Sequence, residues 1–252
     1  MQNTQKQTSS ENSDNRAQIL ILANPEYKTD SLLAILSLSQ LYEDSHDVEV
    51  LAAGSAPEKL SQNLSRKNVK FIEKLPEQKF LLQFKKQENK IKSIQWNQSE
   101  DNVNLYVTMD DGNFNEKDFR FHYLGGVYEK IFLINVGSFG DFKNFKEEYK
   151  YLFEKTEVIA LGKEFKDPLS NLTVAYNPEN PGVSEDLYDY TQKTNLELSE
   201  KSANSILAGI YFATNNFKEQ IKNPKTFETS AKLMEKGAKP ADAIGILESF
   251  NK

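Results

Sequence analysis

Two short segments each set a lysine close to a carboxylate just beyond an aliphatic run. Lys28 and Asp30 follow Gln18 to Ala23 (QILILA), and Lys163 and Glu164 follow Val158 to Leu161 (VIAL). Continuous Ile, Leu and Val runs are what strands buried on both faces of a parallel sheet require. Such sheets hold ligands beyond the carboxyl ends of their strands. Carboxylates placed there could ligate a divalent metal, and ammonium groups could hold phosphate. An Asp at a helix start is also an ordinary N-cap, so Asp30 has a structural reading beside the chemical one.

Other chemistries lack their residues. The chain has no cysteine, which removes thiolate nucleophiles, thiolate metal sites and disulfides, and only two histidines, His46 and His122. No G-x-S-x-G elbow, P-loop or G-x-G-x-x-G following a strand is present. Gly125-Gly126 precedes an apolar run and reads as a turn.

The elements that must position these residues follow from periodicity. After QILILA, the apolar segment SLLAILSLSQLYED predicts a core-facing helix with Thr29 or Asp30 as N-cap, and Val48 to Ala53 predicts the next strand. Strand, helix, strand is the opening of a parallel α/β sheet. Ile131 to Val136 (IFLINV) and Val158 to Leu161 predict two more strands, separated by a helix around Phe142 to Phe153. Glu185 to Gln192, with Leu196 and Leu198, predicts a helical tract. Ser202 to Ala213 and the segment from Phe227 to Gly237, a glycine C-cap, predict two helices joined by a polar loop, and ADAIGILESF after Pro240 predicts a last one. Between them, residues 78–124 alternate apolar and polar and contain the turn pair Asp111-Gly112, which predicts an inserted antiparallel β-meander. Trp96, Tyr106 and Phe121 would cover that sheet against the parent domain. The expected fold is therefore α/β, a parallel sheet flanked by helices with this insertion.

Composition bounds the partners. The 252 residues carry a net charge of −6, and the pI near 5.2 argues against bulk electrostatic binding of nucleic acid. A mean hydropathy of −0.63 argues against a membrane span, and the absence of cysteine fits a cytoplasmic protein. Residues 1–17, polar and without an apolar signal-peptide core, read as a disordered tail preceding a domain over 18–252.

The run Leu207-x-Gly209-Ile210-x-x-x-Thr214-x-x-Phe217, followed by Thr226-Phe227, Leu233 and Gly237-Ala238, resembles the last motif of the DHH phosphoesterase family. That family includes RecJ-like exonucleases, oligoribonucleases, 3′-phosphoadenosine phosphate phosphatases and cyclic dinucleotide phosphodiesterases. Asn177-Pro178 and Ser184-Glu185 resemble the family's D-P and S-x-E landmarks, and counting back from them sets the D-H-H triplet on Gly162, Lys163 and Glu164. The resemblance further aligns Asn24, Lys28 and Asp30 with the first motif, Asn135 with the Asp of the second, and Ala213, beside Thr214, with the last metal-ligating Asp.

What the resemblance implies about activity runs against metal chemistry. Active members use two manganese ions held by carboxylates and imidazoles. The aligned positions here offer two carboxylates, Asp30 and Glu164, and two lysines. This predicts a catalytically inactive, metal-free pseudoenzyme acting as a binding or scaffold module, for a protein partner or a phosphate-bearing small ligand such as a mononucleotide. Lys28 and Lys163 would replace the cations as phosphate partners, although substitution at a relaxed site in a Lys-rich chain gives the same residues. The alternative is a phosphoesterase acting on oligoribonucleotides or small nucleotides, with Mn or Mg on Asp30, Glu164 and Glu26. The family's second domain, DHHA1, with its Gly-Gly-His signature, has no expected counterpart in these residues.

Overall fold

The structure is a computed structural model, and it describes residues 17–24, 26, 28–51, 58–64, 68–75, 79–84, 90–111, 119–124, 127–142, 150–222 and 224–251. The polar segment of residues 1–16, Gly112 of the turn pair, Gly125-Gly126 and residues 143–149 of the helix expected around Phe142 lie outside these. The described residues fall into two compact units, one running to Leu75 and resuming at Tyr128, the other spanning Pro76–Val127.

The larger unit is built on six parallel strands: β1 (Ala17–Ala23), β2 (His46–Leu51), β3 (Val69–Ile72), β8 (Lys130–Ile134), β9 (Glu157–Leu161) and β10 (Leu172–Val174). Their order across the sheet is β10-β9-β8-β1-β2-β3, which makes β1 and β8 the central pair. Alternate residues of β1 serve opposite layers. Ile19 and Ile21 pack with the helices α1 (Thr29–Tyr42), α4 (Val183–Thr194), α5 (Glu200–Ala213) and α7 (Pro240–Asn251). Leu20 and Leu22 pack with Leu152 and Phe153 of α3 (Lys150–Lys155) and with Tyr128 and Phe165. Burial on both faces is why the strand reads as an unbroken aliphatic run. The short α2 (Glu58–Asn63) and α6 (Lys225–Glu235) complete the unit.

Several local expectations need correction. Thr29 and Asp30 are not the N-cap of α1. Lys28 occupies that place with extended backbone and no side-chain cap, because the Asp30 carboxylate turns away to accept from the Val183 backbone N–H at 3.2 Å. β2 begins two residues earlier than the aliphatic run, and Ala52 and Ala53 of that run lie outside the described residues. Leu196 and Leu198 lie in the connection after α4, which Asn195 terminates in the left-handed conformation that asparagine tolerates. Pro240 opens α7, as its preset φ favours at a first helical position.

The smaller unit is antiparallel, as its alternation requires. Its pairing is nested rather than sequential: β4 (Lys79–Phe84) pairs with β7 (Phe119–Leu124), and between them in sequence β5 (Lys90–Gln98) pairs with β6 (Val103–Asp111). Trp96 and Tyr106, expected to be covered, are exposed.

The motif glycine Gly209 has a steric role. A Cβ built on it would lie 1.8 Å from Ser184 Oγ and 2.5 Å from Ser184 Cβ, so α4 and α5 meet at their backbones there. The Glu185 carboxylate, next along α4, accepts from the hydroxyls of Thr226 (3.0 Å) and Thr229 (3.1 Å), which fastens α6 to the same helix. Gly209→Ala should destabilise the protein by about 1–3 kcal/mol through overpacking. Gly245→Ala on α7, where a Cβ meets nothing within 4 Å, should stabilise it by about 0.5–1 kcal/mol through helix propensity. Urea denaturation of the two variants separates these signs.

Candidate functional site

An open cleft of about 910 Å³ lies at the carboxyl ends of the central strands. Its wall residues include Asn24 after β1, Asn135 after β8 and Lys163 after β9, with Lys28, Asp30 and Ser31 from the start of α1 and Ala213 from the end of α5. Six of the aligned positions (Asn24, Lys28, Asp30, Asn135, Lys163 and Ala213) thus share one cleft. Gly162, Glu164 and Thr214 are not among its lining. Glu164 is exposed, and Thr214 is buried with its hydroxyl bonded to Ile210 O (2.7 Å) and the Phe217 N–H (3.0 Å).

The two asparagines hold backbone. Asn24 Oδ1 accepts from the Glu26 N–H at 3.0 Å, an Asx-type turn that starts the path toward α1. Asn135 adopts φ 56°, a left-handed conformation open to Asn and costly for most side chains, and its amide donates to Ser31 Oγ at 2.8 Å. Gly162, at φ 79°, could carry no side chain here, since a Cβ would lie 2.2 Å from Asn135 Oδ1 and 2.8 Å from Val183 Cβ.

Asp30 sits at the floor. Its Oδ2 accepts from Val183 N–H, and its Oδ1 is buried with no hydrogen-bond partner among the described residues. Gly182 closes over it, where a Cβ would lie 3.1 and 3.2 Å from the two carboxylate oxygens. Burial pushes the carboxyl up to about 6, partly offset by the Val183 hydrogen bond.

The two ammonium groups face the cleft with loose partners. Lys28 Nζ lies 3.7 Å from Glu26 Oε2, and both side chains are largely exposed. Lys163 Nζ lies 3.9 Å from Asp141 Oδ2, whose stronger bond is to the Gly137 N–H at 2.7 Å. The Lys163 stem runs across Gly137, since a Cβ there would lie 2.8 Å from Lys163 Cε. Both separations exceed hydrogen-bond length, and exposed ion pairs of this kind contribute at most about 1 kcal/mol.

Asp141, Pro181 and Phe212 also line the cleft and were not found from sequence. Asp141 comes from a 3-10 turn at Phe139–Asp141, Pro181 from the loop before α4 and Phe212 from the end of α5, and only the position of Phe212 beside Ala213 hinted at its place.

Among the described residues no group of three or more His, Asp or Glu is placed to hold a metal ion. The carboxylates that line the cleft are Glu26, Asp30 and Asp141; Glu164 is outside the lining, and Gly162 has no room for a ligating side chain.

No family profile and no curated protein matches the chain. Among solved structures it is similar to an exopolyphosphatase-related protein from Bacteroides fragilis, with a TM-score of 0.55 and 12% identity over 92% of this chain and 56% of that one. A putative family II inorganic pyrophosphatase from Methanococcus jannaschii aligns with a TM-score of 0.47 and 13% identity over 92% of this chain and 61% of that one. The chain spans little more than half the length of the first of these. That first likeness establishes the α/β fold, a helix-flanked parallel sheet shared with an exopolyphosphatase-related protein.

The raised Asp30 pKa has a stability consequence. In the unfolded chain the group titrates near 3.8, so between about pH 4 and 6 the folded state binds the extra proton, and stability falls as pH rises through that window. Asp30→Asn should abolish this component and make the protein about 2–3 kcal/mol more stable than the parent at pH 8, relative to their difference at pH 4. Urea midpoints at the two pH values measure it, and equal pH slopes would contradict it.

Proposed function

We propose that this chain is a degenerate, non-catalytic member of the DHH phosphoesterase group whose cleft binds a phosphate-bearing ligand. The observation that carries the reading is that Lys28 and Lys163, distant in sequence, line one cleft at the carboxyl edge of the sheet. Their carboxylate partners, exposed Glu26 and the largely buried Asp141, are too far for hydrogen bonds, so both ammonium groups can turn to an anion without breaking a strong contact. Charge-assisted bonds to phosphate oxygens are roughly twice as strong as neutral ones. Phe212, Pro181 and Ala213 supply an apolar wall beside them, suited to the organic part of a small phosphate ester.

Catalysis through the cleft lacks its parts. Hydrolysis of a phosphoester by two metals needs cations that clamp the phosphate and generate hydroxide near neutral pH. Of the three carboxylates in the lining, Glu26 and Asp141 each lie beside a lysine, whose charge opposes a divalent ion there. Asp30 instead holds the loop before α4 through Val183 N–H, a positioning contact.

Calorimetric titration with inorganic pyrophosphate tests the reading. Binding should occur without added metal, and Lys28→Ala and Lys163→Ala should each weaken it about tenfold or more, the loss of one charge-assisted contact. The same preparations with Mn added should hydrolyse neither a short oligoribonucleotide nor a phosphate monoester. Stoichiometric Mn with turnover abolished by Asp30→Ala would replace the proposal with an active phosphoesterase.

A further inference from the structure

The β5–β6 hairpin has one face without charge. Ile94, Trp96 and Gln98 stand opposite Val107, Leu105 and Val103, while the reverse face pairs Gln95 with Tyr106 and Asn97 with Asn104, the latter two joined by a side-chain hydrogen bond of 3.0 Å. Apolar faces normally turn inward. Here Trp96 is 70% exposed and Val103 68%, and Ile91, Ile94 and Leu105 are exposed as well.

Two-stranded hairpins are marginal in water unless a third element covers their apolar side. These five side chains present roughly 500 Å² of apolar surface, at the upper end of what a monomer ordinarily shows. We propose that this face is the self-association surface of the protein, and that its occupant is the same face of a second copy.

Area and charge support that occupant. Two such faces stacked would bury about 1,000 Å² in total, the lower bound for a specific interface. A face packing on its own copy needs a two-fold axis, which lies in the plane of contact. An axis along the strands would bring the two turns together, each carrying Glu100 and Asp101. An axis across the strands instead sets that acidic turn against the open end of the partner, where Lys92 is paired with Asp110 at 3.6 Å and the charges balance. Like charges directly apposed are costly, so the strands of the two copies cross in the antiparallel sense. Trp96 lies near the centre of the face, where interface aromatics contribute most.

Trp96 is the only tryptophan, so its fluorescence reports this face directly. Sedimentation velocity and tryptophan emission of the full chain across the micromolar range test the proposal. The expected result is a monomer–dimer equilibrium in which the emission shifts to the blue as dimer forms. Leu105→Lys should raise the dissociation constant about 100-fold, and Tyr106→Lys on the reverse face should leave it unchanged, with circular dichroism confirming that both variants fold. A wild-type monomer throughout the range overturns the proposal, whether its tryptophan is solvated or is already buried within the chain. So does a dimer that survives Leu105→Lys, or one broken equally by Tyr106→Lys.

Discussion

The carboxylate of Asp186 fixes the geometry of the cleft rim. It stands in the first turn of α4 and accepts from the Gly162 N–H (3.0 Å), the Asn177 N–H (3.0 Å) and the Asn180 side-chain amide (2.7 Å). One buried group thereby gathers the loop after β9, the loop after β10 and the start of a helix. Burial pushes its pKa up to about 7 against the pull of those three donors. The cost is accepted because the alternative is worse: two backbone N–H groups left without partners at the rim. Lys163 follows Gly162 directly, so its place in the cleft depends on this carboxylate.

Around that anchor, the residues at the aligned positions do backbone work. Asn135 takes a left-handed conformation, Gly162 accommodates the asparagine amide, and Asn24 closes a turn, each stabilising the connection from a strand end rather than reaching for a ligand. Asp30 bonds a backbone N–H, and Gly182 closes over it. The chemically uncommitted groups are the two lysines. That arrangement, a polar floor occupied by its own structure beneath two ammonium groups, is what the proposal of a phosphate-binding cleft rests on.

The sheet was legible where strands are buried on both faces. QILILA, IFLI and VIAL announced β1, β8 and β9 because no polar residue can interrupt such a strand. β3 and β10 were not, since VKFI and LTV are short, and edge strands keep one side in water: Lys70, Thr173 and Val174 are exposed. Strand ends predicted the convergence of Lys28 and Lys163, because parallel topology brings carboxyl ends together whatever the loops do. The roles of Asp186 and Asp141 were hidden. In sequence, an acid in a first helical turn looks like a dipole partner, and only tertiary placement shows which N–H groups point at it. The nested pairing of β4 with β7 was equally invisible, because alternation specifies a strand and its faces but not its neighbour.

The most direct test of the account is anomalous diffraction from crystals soaked in parallel with tungstate, a phosphate mimic, and with manganese. The account predicts a tungsten peak within hydrogen-bond reach of both Lys28 Nζ and Lys163 Nζ, and no manganese peak in the cleft. Manganese bound by Asp30, with the tungstate elsewhere or absent, would contradict it and return the cleft to metal chemistry.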